Sequence, residues 1–115
     1  MTDPQDVAVA YFDAWRSKRF DDVRALLADE GFTYSGPLAE LDDADACRDA
    51  LARLGGVMTD LVVERSFVSD DDVVTFFTVH TSVAPPNKVA NWLHVENGKI
   101  QRIRAVYDAR EMASI

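Results

Sequence analysis

The sequence predicts an α+β domain in which three helices precede an antiparallel β-sheet. Apolar residues recur at helical spacing up to Gly56 and at a two-residue spacing after it. The segments after Gly56 are joined by short polar turns, as consecutive hairpins are, with no crossover helices between them. The chain has 115 residues, 48% of them hydrophobic and 28% charged, which suits one globular domain spanning 1–115.

The first helix is predicted over "TDPQDVAVAYFDAWRSK", residues 2–18. Thr2 or Asp3 can cap it, and Pro4 is preset for the first helical position. Val7, Tyr11, Ala14 and Trp15 recur at helical spacing, whereas Asp6, Asp13 and Arg16 fall elsewhere. "RFDDVRALLADEG" (19–31) repeats the pattern in a shorter form: Asp21 or Asp22 starts it, Val23, Leu26 and Leu27 face inward, and Gly31 stops it. "FTYS" (32–35) is short and aromatic and is ended by Gly36-Pro37, so it is a strand. "DDADACRDALARLGG" (42–56) is the third helix, acidic at its start and ended by Gly55-Gly56.

Four strands follow: "MTDLVVERSFV" (58–68), "DVVTFFTVHTSV" (72–83), "KVANWLHV" (88–95) and "KIQRIRAVYD" (99–108). Asn97-Gly98 is a strong hairpin signal, and Pro85-Pro86 breaks any continuous central strand there.

Composition narrows the function classes. The net charge of −8 repels phosphate backbones and anionic lipid, so neither a nucleic-acid nor a membrane role is expected. A single cysteine, Cys47, fits a reducing compartment, and "MTDPQDVAVA" has no basic start before an apolar run, so cytoplasm is the expected location. No metal-ligand spacing is present, "SDDD" (69–72) lacks the glycine and distal glutamate of a calcium loop, and no phosphate-binding loop or nucleophile elbow occurs. No cofactor is expected.

"AYFDAWRSKRFDDVRALLADEGFTYSGP" and "NWLHVENGKIQRIRAVYD", together with the order of elements, resemble the nuclear transport factor 2-like superfamily. That group includes ketosteroid isomerases, SnoaL-like polyketide cyclases and limonene epoxide hydrolases. The resemblance implies a curved sheet wrapped around the helices as a cone, an apolar pocket inside, and commonly a dimer. Since the fold hosts isomerases, cyclases, hydrolases and plain binding modules, chemistry must be argued from residues.

Tyr11 matches the tyrosine that points into the cone of ketosteroid isomerase-like proteins; it is either a hydrogen-bond donor to a ligand carbonyl or a core aromatic. Asn91 matches the position of those enzymes' protonated aspartic acid, and an amide donates at any pH; it is either a second donor or a local backbone partner. Their catalytic base would fall on Ser35, or Gly36 if the register slips, and neither abstracts a proton unaided. The acid that cyclases and epoxide hydrolases carry on the last strand would fall on Ala105. Ile103, Ala105 and Tyr107 share one face, so Asp108 faces the other way. The Arg–x–Asp pair of an epoxide hydrolase is absent from "ANWLHV".

His80, counted onto one face with Val74, Phe76 and Thr78, is the remaining base candidate, against a structural or interface role. His94 should face away from the cone. Cys47 lies on the inward side of the third helix with Leu51 and Leu54, as a small buried hydrophobe.

The expected site therefore has Tyr11, Asn91 and His80 as polar groups. Its walls are Trp15, Ser35, Cys47, Leu51, Phe76, Thr78, Leu93, Ile103, Ala105 and Tyr107. On this expectation the protein binds a small hydrophobic carbonyl or phenolic compound, as an isomerase, cyclase or dehydratase. The alternative is a non-catalytic homodimeric module paired through the open sheet face. Arg65, His94, Arg102 and Arg104 would then mark the interface or simply a solvated face.

Overall fold

The computed structural model describes residues 3–110 and 112. Helix α1 spans Pro4–Arg16. The Asp3 side chain accepts from Gln5 N (2.8 Å), so it supplies the cap, and Thr2 lies outside the described residues. Val7, Tyr11, Ala14 and Trp15 are all buried, as their spacing predicts.

Helix α2 spans only Phe20–Leu26 and is capped by neither Asp21 nor Asp22, since Arg19 holds the cap position. It ends five residues before Gly31 because its continuation is claimed by the sheet. Leu27 bridges to Ile100, and Ala28 N donates to Ile100 O (2.9 Å).

Strands β1 (Thr33–Ser35) and β2 (Glu40–Leu41) form a small hairpin. Helix α3 spans Ala44–Gly55, and Asp43 caps it by accepting from Asp45 N. Four long strands follow: β3 (Met58–Ser69), β4 (Asp72–Thr81), β5 (Asn87–Glu96) and β6 (Lys99–Tyr107). At the last hairpin Asn97 and Gly98 both have positive φ (54° and 74°), the conformation of a two-residue hairpin turn.

The six strands form one curved, unclosed sheet in the order β2-β1-β6-β5-β4-β3. All neighbours are antiparallel except β1 and β6, which run parallel with Tyr34 beside Ile103. This is the α+β cone. Bulges in β3, between Met58 and Asp60 and between Val63 and Arg65, and in the β5–β6 ladder beside Val95 let the sheet bend. Its concave face carries Val73, Thr75, Phe77 and Val79 from β4, Asn91, Leu93 and Val95 from β5, and Ile103 and Ala105 from β6, all buried. Helix α1 lays Phe12 and Trp15 against Phe77, with ring centroids 5.1 and 5.4 Å apart.

The outer face reads in rows. Phe67, Val74, Trp92 and Arg104 form one, and Arg65, Phe76, Ala90 and Val106 the next. At the end nearest the β3–β4 turn, Asp72 Oδ1 accepts from Trp92 Nε1 (2.8 Å) and lies 2.9 Å from His94 Nδ1, while His94 Nε2 lies 3.1 Å from Glu96. Hydrogen bonds to Asp72 and Glu96 raise the His94 pKa, outweighing burial and the nearby Arg102. Burial alone would raise Asp72, but the bonds from Trp92 and His94 prevail and hold it below its usual range.

A raised histidine contributes stability in full below its unfolded value, and that contribution is lost as pH rises through the folded value. A lowered aspartate contributes above its unfolded value, and that is lost as pH falls through the folded one. The clasp is therefore strongest from about pH 4 to about pH 6.5. In an NMR titration, Asp72→Asn should bring the His94 pKa down; an unmoved His94 would mean the contact does not form in solution.

Candidate functional site

Between α3, the β1–β2 hairpin and the concave face lie two cavities of about 360 and 80 Å³. They share Tyr34, Leu51, Leu54, Tyr107 and Met112 as lining, so they lie against each other as a vestibule and an inner pouch. The vestibule falls in the size range of small-molecule sites, which begins at about 300 Å³. Helix α3 supplies Cys47, Ala50, Leu51 and Leu54 from one stripe, as helical spacing dictates. The pouch is closed by Tyr11 and Trp15 from α1, Phe77 and Val79 from β4, Asn87, Val89 and Asn91 from β5, and Ala105 from β6.

The polar groups of the pouch are neutral. Asn91 is 3% exposed and its Oδ1 has no hydrogen-bond partner; Trp15 Nε1 is likewise buried and unpartnered. Buried polar atoms are normally satisfied, so two orphans around one cavity mark it as a place that can accommodate a polar partner, whether ligand or water. Burial, with Cys47 and Tyr34 nearby, pushes the Tyr11 phenol well above its usual range, so it stays protonated and able to donate. Burial likewise raises Tyr34, which also feels Tyr107 and Cys47, and burial raises Tyr107. Burial pushes the Cys47 thiol up to about 12, so it is no thiolate nucleophile at neutral pH. Among the described residues no carboxylate or histidine lines either cavity. Nor do three or more His, Cys, Asp or Glu side chains gather as a metal site.

Of the residues expected at the site, the structure brings Tyr11, Asn91, Trp15, Cys47, Leu51, Ala105 and Tyr107 to the cavities. The others lie elsewhere. Phe77 and Val79 face inward, so His80, Phe76 and Thr78 face outward. Phe76 is 44% exposed, Thr78 donates to Glu64 (2.9 Å), and His80 pairs with Asp60 across the β3–β4 ladder, so His80 is not a base for this cavity. Ser35 stands beside Arg104, an outward position, and its hydroxyl donates to Glu40 (2.8 Å). Leu93 and Ile103 face inward but are sealed in the core. Asp108 follows β6, and its carboxylate is held by Arg110, which lowers its pKa to about 2; it lines neither cavity.

Tyr34 takes the inward place expected for Ser35. Its ring fits because Gly36 has no side chain: a Cβ there would sit 2.6 Å from the Tyr34 hydroxyl. Phe32, 1% exposed and two residues earlier, is the signal that could have found it, since alternation then turns Tyr34 inward. Asn87 lines the pouch while its Nδ2 donates to Asp108 O (2.8 Å). Met112 and Arg53 also line the vestibule, and no sequence pattern singles them out.

This cone, with its pouch between helices and concave sheet, is that of nuclear transport factor 2-like proteins. The chain belongs to the SnoaL-like domain family, whose model matches residues 8–103. A solved protein of Kribbella flavida DSM 17836 is 25% identical, with a TM-score of 0.87 over 95% of this chain and 89% of that one. A nuclear transport factor 2-like protein of unknown function from Cytophaga hutchinsonii ATCC 33406 is 18% identical, with a TM-score of 0.85 over 98% and 96%. An LEH-like epoxide hydrolase of M. tuberculosis is 20% identical, with a TM-score of 0.79 over 96% and 86%. No curated protein matches the chain. Among the described residues no helix is long and apolar enough to cross a membrane.

Proposed function

We propose that this SnoaL-like domain binds a small apolar compound inside the cone and hydrogen-bonds its carbonyl or phenolic oxygen in the inner pouch. The observation that carries this reading is the pair of unpartnered buried polar groups, Asn91 Oδ1 and Trp15 Nε1, beside Tyr11 in a largely apolar cavity. In its enzymatic form, an isomerase, cyclase or dehydratase, the Tyr11 hydroxyl and Trp15 Nε1–H would donate to and polarise a ligand carbonyl, while Asn91 Oδ1 would accept from a ligand hydroxyl. The described lining holds no group ready to accept a proton at neutral pH, which favours binding over proton abstraction.

A thermal-shift panel of phenols, steroids, terpenoids and polyketide-like aromatics tests it. A ligand at a hundredfold its Kd stabilises the native state by about 2.7 kcal/mol. The shift should shrink in Tyr11→Phe and Asn91→Ala. No shift with any compound would sink the reading.

A second reading concerns assembly, and the outer face favours it. Phe67 and Phe76 meet edge to face there (6.2 Å), exposed, with Val106 71% exposed in the same row as Phe76. Arg102 and Arg104 lie over the Trp92 ring, while Glu64 and Glu96 supply the opposite sign. A face that is apolar in the middle and carries both charges suits a second copy of itself across a two-fold axis. Sedimentation velocity should show a dimer that Phe76→Glu dissociates; a monomeric wild type would end this reading.

A further inference from the structure

The mouth of the vestibule points to the chemical class of the ligand. The chain carries 20 acidic and 12 basic residues, and five of its nine arginines, Arg110 with Asp108 among them, are paired with carboxylates among the described residues. Arg16 meets Asp60, Arg19 meets Asp22, Arg24 is held by Asp45 and Asp29, and Arg48 by Asp49. Arg53 has no carboxylate partner among the described residues, and it is the one charged side chain among the described lining of either cavity. It borders the α3 stripe of Cys47, Ala50 and Leu54, lines the vestibule and is exposed, so the residue stands where the vestibule meets water.

The two ends of the space thus differ in kind. The pouch offers only neutral polar groups, and an ion pushed into it would lose its hydration without a counter-charge. The mouth offers a planar, permanently charged fork suited to a carboxylate. We propose, building on the cavity reading above, that the ligand is an amphipathic anion. Its neutral oxygen enters the pouch, its apolar body fills the vestibule, and its carboxylate stays at the mouth against Arg53.

The test compares para-hydroxycinnamic acid with its methyl ester by titration calorimetry at neutral pH, on the full chain. The two share a body and a phenol and differ in the charge. The acid should bind about twofold to fivefold tighter than the ester, the range of a solvent-exposed ion pair. Arg53→Gln should erase that preference without weakening the ester, and Arg53→Glu should reverse it. Both exchanges are at an exposed helical position, and unchanged ester binding verifies that each variant is folded.

Equal binding of acid and ester, or a preference that survives Arg53→Gln, overturns the inference. In that case Arg53 only complements the C-terminal end of α3. Binding of neither probe, while neutral compounds of the panel still bind, also overturns it and leaves the cavity reading standing. No binding by any compound takes down both.

Discussion

Phe77→Ala is expected to cost about 3–5 kcal/mol of stability, the range of large-to-small changes at a fully buried aromatic. Phe77 is 2% exposed and sits mid-sheet on the concave face, between Val63 and Val89 in the ladders. Its ring is where α1 is fastened to the sheet, against Phe12 and edge to face with Trp15. Removing it loses apolar burial and two aromatic contacts together. The gap would open onto the 80 Å³ pouch, so neighbours have little means of closing it. The melting temperature should fall on the order of 10 °C or more. In urea the midpoint should drop with the slope unchanged. Phe76→Ala is the internal control. One residue away on the outer face and 44% exposed, it should cost less than about 1 kcal/mol when measured on the monomer. Equal costs at the two positions would contradict the assignment of inner and outer faces.

That pair of adjacent phenylalanines also shows what the sequence reveals. The first helix is legible because local chemistry decides it: Asp3 caps, Pro4 starts, and the apolar positions keep their spacing. The last hairpin is legible because Asn97-Gly98 accepts the positive φ that such a turn needs. In β4 the signal fails. Val73 and Val74, then Phe76 and Phe77, put apolar side chains on both faces, so alternation names no inside. The ladder decides instead. Asn91 faces inward, Thr75 stands beside it, and Phe77 and Val79 follow, which sends His80 out. The early end of α2 and the parallel pairing of β1 with β6 are likewise products of contacts with a strand some seventy residues away. The two-residue β2 has too little length for a pattern. At the site, Tyr11, Asn91, Ala105 and Tyr107 were readable because they lie on long periodic elements. Tyr34 was missed by one position on a three-residue strand, and Arg53 because a charged helical residue reads first as solvent-facing.

Asn91→Leu should raise stability while removing ligand binding. Asn91 is 3% exposed, stands between Thr75 and Ala105 in the ladders, and leaves its Oδ1 without a partner. Thr75, equally buried, shows the ordinary solution: its hydroxyl is bonded to Ser66 at 2.9 Å. A buried acceptor left unmade costs about 1–3 kcal/mol, so an apolar side chain of similar length should regain about 1–2 kcal/mol. The pouch beside it can take the added bulk, which keeps overpacking small. The gain in melting temperature should come with loss of the ligand-induced shift, because the side chain proposed to meet the ligand oxygen would be gone. This opposition separates a binding group from a structural one. If the amide served only the fold, its replacement would lower stability, as loss of a satisfied buried hydrogen bond does. A fall of 1 kcal/mol or more, on the order of one lost hydrogen bond, would therefore return Asn91 to the core and leave the pouch without its acceptor. A rise with binding retained would place the ligand elsewhere in the cone. A rise with binding lost would identify Asn91 as a position where stability has been given up for recognition.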